Sequence, residues 1–242
     1  MLAPFAAMLG LEGFAVNYLP ELIALLFVGL TGLLLVEDLK KPLAFIRLFT
    51  RPNWNSWLVK GAWVINAFVG LMLASLALRY FGQDAAANVV RWFGAFAGAA
   101  VAGYTAFLFA QCEGRDLWQS RILLPHLLCQ AVMCGAVVLM PFDANHATLP
   151  FVAAIAAALH LTLALMERYR HHETANAQQG AAFLGVVSFG PLRAWREGLI
   201  IGVGLTIAVA LTLPEIAFIP ALIGLLLYEH AFIRAGQLPP LS

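Results

Sequence analysis

Residues 21–42 read ELIALLFVGLTGLLLVEDLKKP. An apolar run of bilayer-spanning length ends in two acids, two lysines and a proline. A transmembrane helix needs about 20 mostly apolar residues. Lysines and a proline just past its end are what stops it and holds that end in the cytoplasm. The rest of the chain repeats the pattern. Hydrophobic residues make up 62% of it and charged residues 11%, against roughly a quarter charged in a soluble domain. Too little polar surface remains to cover a water-soluble core, so the chain reads as a polytopic membrane protein.

Seven spans are expected, at about 17–36, 58–78, 92–111, 122–141, 147–167, 198–213 and 215–233. Together they form one all-α transmembrane domain over residues 1–242. The last two are separated only by Thr212, Leu213, Pro214 and Glu215, which predicts a tight turn. With seven spans the termini fall on opposite sides. One side collects Lys40, Lys41, Arg47, Arg51, Lys60, Arg115, Arg121, Arg168, Arg170, Arg193, Arg196 and Arg234; the other holds Arg79 and Arg91. The excess of lysine and arginine marks the cytoplasmic side, placing the N-terminus outside and the C-terminus in the cytoplasm. The apolar segment 181–190 is too short to span and reads as a surface-lying or re-entrant element. The first sixteen residues lack the positive start of a signal peptide.

Net charge is +1 and no basic tract is long enough for a phosphate backbone, which removes nucleic acid as a partner. Cys112, Cys129 and Cys134 are too scattered for a disulfide framework or an iron–sulfur motif. GAFAG (94–98) and GLIIG (198–202) are small-xxx-small patterns that let helices approach closely.

Ionisable groups inside spans are costly and are functional candidates by default. Asn17 and Glu21, four apart, form a polar pair at the outer end of the first span. Near the cytoplasmic end, His160 and Glu167 lie seven apart on one face of the fifth span. His126 and Gln130 share a face of the fourth span, and Glu229 and His230 end the seventh. His160, Glu167 and Asp38 are candidates for a cytoplasmic proton path. Three histidines at similar depth raise the question of a b-type haem, which needs two facing each other, but no glycine spacing makes room for a porphyrin, so no haem is expected and metal ligands are assigned nowhere.

VEDLKKPLAFIRLF followed by NSWLVKGAW resembles the polysulfide reductase membrane subunit family, the NrfD/PsrC-like quinone-interacting proteins. The resemblance rests on Asp38, Leu39 and Pro42 in the loop and on Ser56, Trp57, Gly61, Ala62 and Trp63 at the start of the next span. GYTAFLFAQCEGRDLWQSRILLPHLL, HLTLALMERYRHHETANAQQGAA, RAWREGLIIGVGL and EHAFIRAGQLPPLS are similar to further family segments, in the same order. The chain starts at what resembles the family's second helix. In the family that first helix helps form the quinone pocket, so a quinone site here would need a partner chain to supply it.

The resemblance implies a haem-free membrane subunit of a respiratory oxidoreductase in the bacterial cytoplasmic membrane. Such a subunit exchanges electrons between menaquinone or ubiquinone and a ferredoxin-like iron–sulfur subunit, which serves a molybdopterin-type catalytic subunit. It implies a quinone neighbourhood at Tyr104, to which the outer polar pair Asn17 and Glu21 is added. No catalytic centre of the chain's own is expected. A catalytically silent anchor for the iron–sulfur subunit and a b-type cytochrome remain the alternatives.

Overall fold

The computed structural model describes the chain except Gly10, residues 38–45, residues 144–147 and Ser242. Asp38, Lys40, Lys41 and Pro42 thus lie outside the described residues. Among the described residues, seven helices are long and apolar enough to cross a membrane. They are α1 (Leu19–Glu37), α2 (Trp57–Tyr80), α3 (Asp84–Ala110), α4 (Leu123–Leu139), α5 (Leu149–Tyr169), α7 (Ala194–Thr212) and α8 (Phe218–Gln237). A shorter helix, α6 (Ala175–Leu184), stands between α5 and α7. The chain is an all-α, multi-pass integral membrane protein. Helices suit that setting because their backbone hydrogen bonds close within the segment.

The ends of these helices follow local chemistry. Pro150 sits in the first turn of α5, where an amide N–H has no intrahelical partner to lose. The Thr174 hydroxyl caps α6 by accepting from the Ala177 amide at 3.1 Å. Leu213 and the 3-10 turn Pro214–Ile216 break α7 from α8, as the turn residues predict. The apolar segment 181–190 becomes the last turn of α6 and the start of a two-stranded hairpin, Ser188–Phe189 against Leu192–Arg193. Gly190 turns that hairpin at a φ of 57°, a left-handed conformation that glycine adopts without penalty.

The chain divides into two compact units, Met1–Leu108 and Phe109–Ser242. In the first, α2 and α3 pack through the GAFAG glycines. Gly94 leaves room for the Met72 side chain, and a Cβ on Gly98 would lie 3.3 Å from the Phe68 ring. At the other end of the same helices, Gly61 forms the notch that seats the Tyr104 ring, and Trp57 stacks on Phe107 at 4.4 Å. Two of the stretches that carry the family resemblance therefore meet side by side. The segment before α1 packs through Ala6, Leu9 and Leu11, all buried, with Phe5 edge-on to Trp92 at 5.1 Å.

In the second unit, α7 crosses α8 with backbone against backbone. A Cβ on Gly198 would lie 2.8 Å from the Tyr228 amide nitrogen, and one on Gly224 would overlap the backbone of Gly202. GLIIG is thus one half of a glycine crossing whose other half is Gly224. Helix α7 runs through a π-helical stretch at Ile200–Leu205, where the Thr206 hydroxyl donates to the Ile201 carbonyl at 3.1 Å. A loop before α4 braces the C-terminal residues. Trp118 fills the space that Gly236 leaves open, and Arg115 Nη1 donates to the carbonyls of Gln237 at 2.8 Å and Pro239 at 3.1 Å.

Candidate functional site

Each unit holds a buried polar cluster. In the Met1–Leu108 unit the centre is Glu21, which is fully buried in the first turn of α1. Arg91 of α3 grips its carboxylate with two hydrogen bonds, Nε to Oε1 at 2.6 Å and Nη2 to Oε2 at 2.9 Å. The Ser75 hydroxyl of α2 adds a third at 2.9 Å. Forked pairing of this kind is the strongest form of charge-assisted hydrogen bond. Arg91 Nη2 also donates to the Asn17 carbonyl at 2.9 Å, so the same guanidinium ties the approach to α1 onto α3.

Arg79, near the end of α2, completes the cluster. Its Nη1 donates to Asn17 Oδ1 at 3.1 Å and its Nη2 to Asn88 Oδ1 at 2.5 Å. Asp84, 3.4 Å from Nη1, is well exposed and pairs only weakly. The Arg79 Nε is buried without a hydrogen-bond partner. A cavity of about 430 Å³ opens here, with Asn17, Arg79, Asp84, Asn88 and Arg91 on its polar wall. Pro4, Ala6, Ala7, Val16 and Trp92 form the apolar wall.

The structure brings Asn17 and Glu21 together, but Tyr104 stands apart from them. It follows Arg91 by thirteen residues on α3, about 20 Å along a helix axis. Arg79 and Arg91 are the members that sequence reasoning missed. Spans trimmed at their first charge end at residue 78 and begin at residue 92, which turns both arginines into loop residues. The helices run on through them, and both are buried. A lone intramembrane carboxylate at residue 21 was the available signal, since it demands a cation.

In the Phe109–Ser242 unit, three helices supply four buried side chains: His126 from α4, His160 and Glu167 from α5, and Tyr228 from α8. His126 Nε2 and His160 Nδ1 lie 2.6 Å apart. The Tyr228 hydroxyl donates to Glu167 Oε2 at 2.8 Å, and His126 Nδ1 is 3.3 Å from the same oxygen. His160 and Glu167 therefore share a cluster, as their spacing predicts. His126 joins it, and Tyr228 is the member no sequence signal marked. Glu229, next to Tyr228, turns to a hydrogen bond with Gln130. His230 faces the hairpin, near the Ser188 carbonyl at 3.3 Å and edge-on to Phe189.

Two ring nitrogens 2.6 Å apart hydrogen-bond to each other and leave no space for an iron between them. Among the described residues, no group of three or more His, Cys, Asp or Glu is placed to hold a metal ion.

Beyond the end of α5, His172 Nε2 donates to the Glu167 carbonyl at 2.9 Å. Burial pushes the His172 pKa below its ordinary value, and the hydrogen bond to Glu167 offsets this only in part. With the folded pKa depressed, the unfolded chain binds the more protons as pH drops below about 6.5, so stability falls with falling pH. Unfolding midpoints in detergent at about pH 7.5 and about pH 5.5 should show this loss. His172→Gln, which keeps an N–H for the carbonyl but cannot take up a proton, should reduce it. An unchanged pH dependence in the variant would contradict this account of His172.

The family model described as "Polysulphide reductase, NrfD" matches residues 16–141. No curated protein and no solved structure matches the chain. The matched residues run from Asn17 through the Glu21–Arg91 cluster and the Gly61–Tyr104 notch to His126 on α4. On this match, which covers more than half its length, the chain belongs to the NrfD polysulphide reductase family.

Proposed function

We propose that the chain is the haem-free, quinone-exchanging membrane subunit of a respiratory oxidoreductase. It passes electrons between membrane quinol and an iron–sulfur partner subunit that serves a catalytic subunit of molybdopterin type. The observation that carries this reading is the cavity of about 430 Å³ within a chain of this family. A quinone site needs apolar walls and a few polar groups for two oxygens, and this cavity has both. Arg79 lines it with an Nε that has no partner. Asn17 lines it too, with its Oδ1 engaged by Arg79. A bound quinone supplies two-electron, two-proton redox chemistry.

The chain's own residues would bind and orient the headgroup. Arg79 and Asn17 would donate to it, while Asn88 holds the Arg79 guanidinium in place. Glu21 and Ser75 act one step back, keeping Arg91 fixed in the cavity wall. Tyr104, about 20 Å along α3 from Arg91, is not part of the same contact set and is assigned to the packing of α2 on α3. On the topology expected from the positive-charge asymmetry, the cavity lies at the outer face, where the iron–sulfur partner would dock. His160, Glu167 and Asp38 would carry protons at the cytoplasmic side.

Titration of the purified complex with a fluorescent quinone analogue tests the reading. Saturable binding is expected, and Asn17→Ala should weaken it about tenfold, the value of one buried hydrogen bond. No detectable binding would leave the silent membrane anchor as the correct description.

A further inference from the structure

We propose that His126 and Glu167 form a proton-storage site that holds one proton between them, with Glu167 Oε1 as the position where it is exchanged. This rests on the reading of the His160–Glu167 region as proton-handling, and it identifies where the proton resides.

The argument is an inventory of hydrogens. His126 Nε2 and His160 Nδ1 are 2.6 Å apart, so one of them carries a hydrogen and the other accepts it. On the other edge of the His126 ring, Nδ1 faces Glu167 Oε2 at 3.3 Å and the Tyr228 oxygen at 3.4 Å. The single Tyr228 hydroxyl hydrogen is committed to Glu167 Oε2 at 2.8 Å. With Glu167 ionised, a bare Nδ1 sets lone pairs against Oε2, while the Nδ1–H tautomer, with His160 donating to Nε2, relieves that contact but not the charge. The cluster would also carry an uncompensated negative charge, which burial penalises severely. One further proton removes both problems. On Nδ1 it makes a neutral imidazolium–carboxylate pair; on the carboxyl it makes a neutral acid beside a neutral ring. Nδ1 and Oε2 face each other at 3.3 Å, so either can hold it, and the proton itself comes from solvent.

Glu167 Oε1 is the cluster's open end, since it is buried and has no hydrogen-bond partner. The charged or titratable groups around the pair are His160 on α5, and Tyr228 and Glu229 on α8, with Glu229 hydrogen-bonded to Gln130 of α4. His172 meets Glu167 at its main-chain carbonyl.

The test is a pH titration of the membrane-embedded chain. Infrared difference spectra follow the Glu167 carboxyl, and ring-labelled histidine resonances follow His126. A shared proton makes both groups change with a single common midpoint. Glu167→Gln should abolish the carboxyl signal and move the His126 resonance. Tyr228→Phe, which removes the donor to Oε2 but keeps the ring, should shift the carboxyl frequency in a folded protein even if Glu167→Gln does not fold. Separate midpoints, no titration of either group, or a His126 resonance indifferent to folded Glu167→Gln would overturn the proposal. The measurement needs no quinone. A chain that stores the proton but binds no quinone analogue would therefore sink the quinone reading alone.

Discussion

Glu21→Leu should destabilise the Met1–Leu108 unit by about 3–5 kcal/mol, the cost of breaking a buried ion pair from one side. The carboxylate is fully buried and accepts from Arg91 Nε at 2.6 Å, Arg91 Nη2 at 2.9 Å and the Ser75 hydroxyl at 2.9 Å. Its removal strands the Arg91 guanidinium, with Arg79 close by and paired only to amides and the exposed Asp84. The penalty therefore comes from the orphaned cation rather than from the lost attraction. The double variant Glu21→Leu/Arg91→Met should for that reason regain most of the loss, since apolar groups of similar volume often match or exceed a buried pair. Chemical unfolding in detergent compares the three proteins. A single variant within about 1 kcal/mol of wild type, or a double variant worse than the single, would contradict this role for Glu21.

Gly224→Leu should be the most damaging substitution in the Phe109–Ser242 unit. A Cβ there overlaps the backbone of Gly202, and on the same crossing a Cβ on Gly198 would lie 2.8 Å from the Tyr228 amide nitrogen and 3.0 Å from the Gly224 carbonyl oxygen. Backbone cannot rotate out of the way as a side chain can. The loss should reach or exceed roughly 3 kcal/mol, the upper end for overpacking. It also has a local consequence. Pushing α8 off α7 moves Tyr228 from its 2.8 Å contact with Glu167 Oε2. Gly204→Leu is the control, because nothing lies within 4 Å of a Cβ at that position. Survival of folded protein after heating should drop for Gly224→Leu and hold for Gly204→Leu. Equal survival of the two would show that the α7–α8 crossing is looser than described.

The seven spans were legible because bilayer thickness fixes their length and the charges between them are few. Their ends were less so. A count of charges cannot distinguish an arginine in a loop from one folded back onto an intramembrane acid, and Arg79 and Arg91 fell on the wrong side of that line. The partner of Glu21 was implied by its cost, but its identity depends on how three helices are arranged. His160 and Glu167 were readable as one face of one helix. Tyr228 was not, since a tyrosine near a helix end is ordinary in a membrane protein and only the α7–α8 crossing aims it at Glu167. GLIIG likewise read as a packing motif without its other half, because Gly224 lies on a different helix and no spacing rule connects them. Tyr104 was legible as a motif residue, yet its neighbour Gly61 is what shows it as a ring seated in a notch, away from Asn17.

The central claim is membership of a quinone-linked electron-transfer complex, and its direct test is what accompanies the chain out of the membrane. Affinity purification of the tagged full chain from native membranes in mild detergent, followed by mass spectrometry and iron analysis, gives the answer. The account predicts an iron–sulfur protein recovered in fixed proportion to the chain. Recovery of the folded chain with no iron–sulfur partner would contradict it.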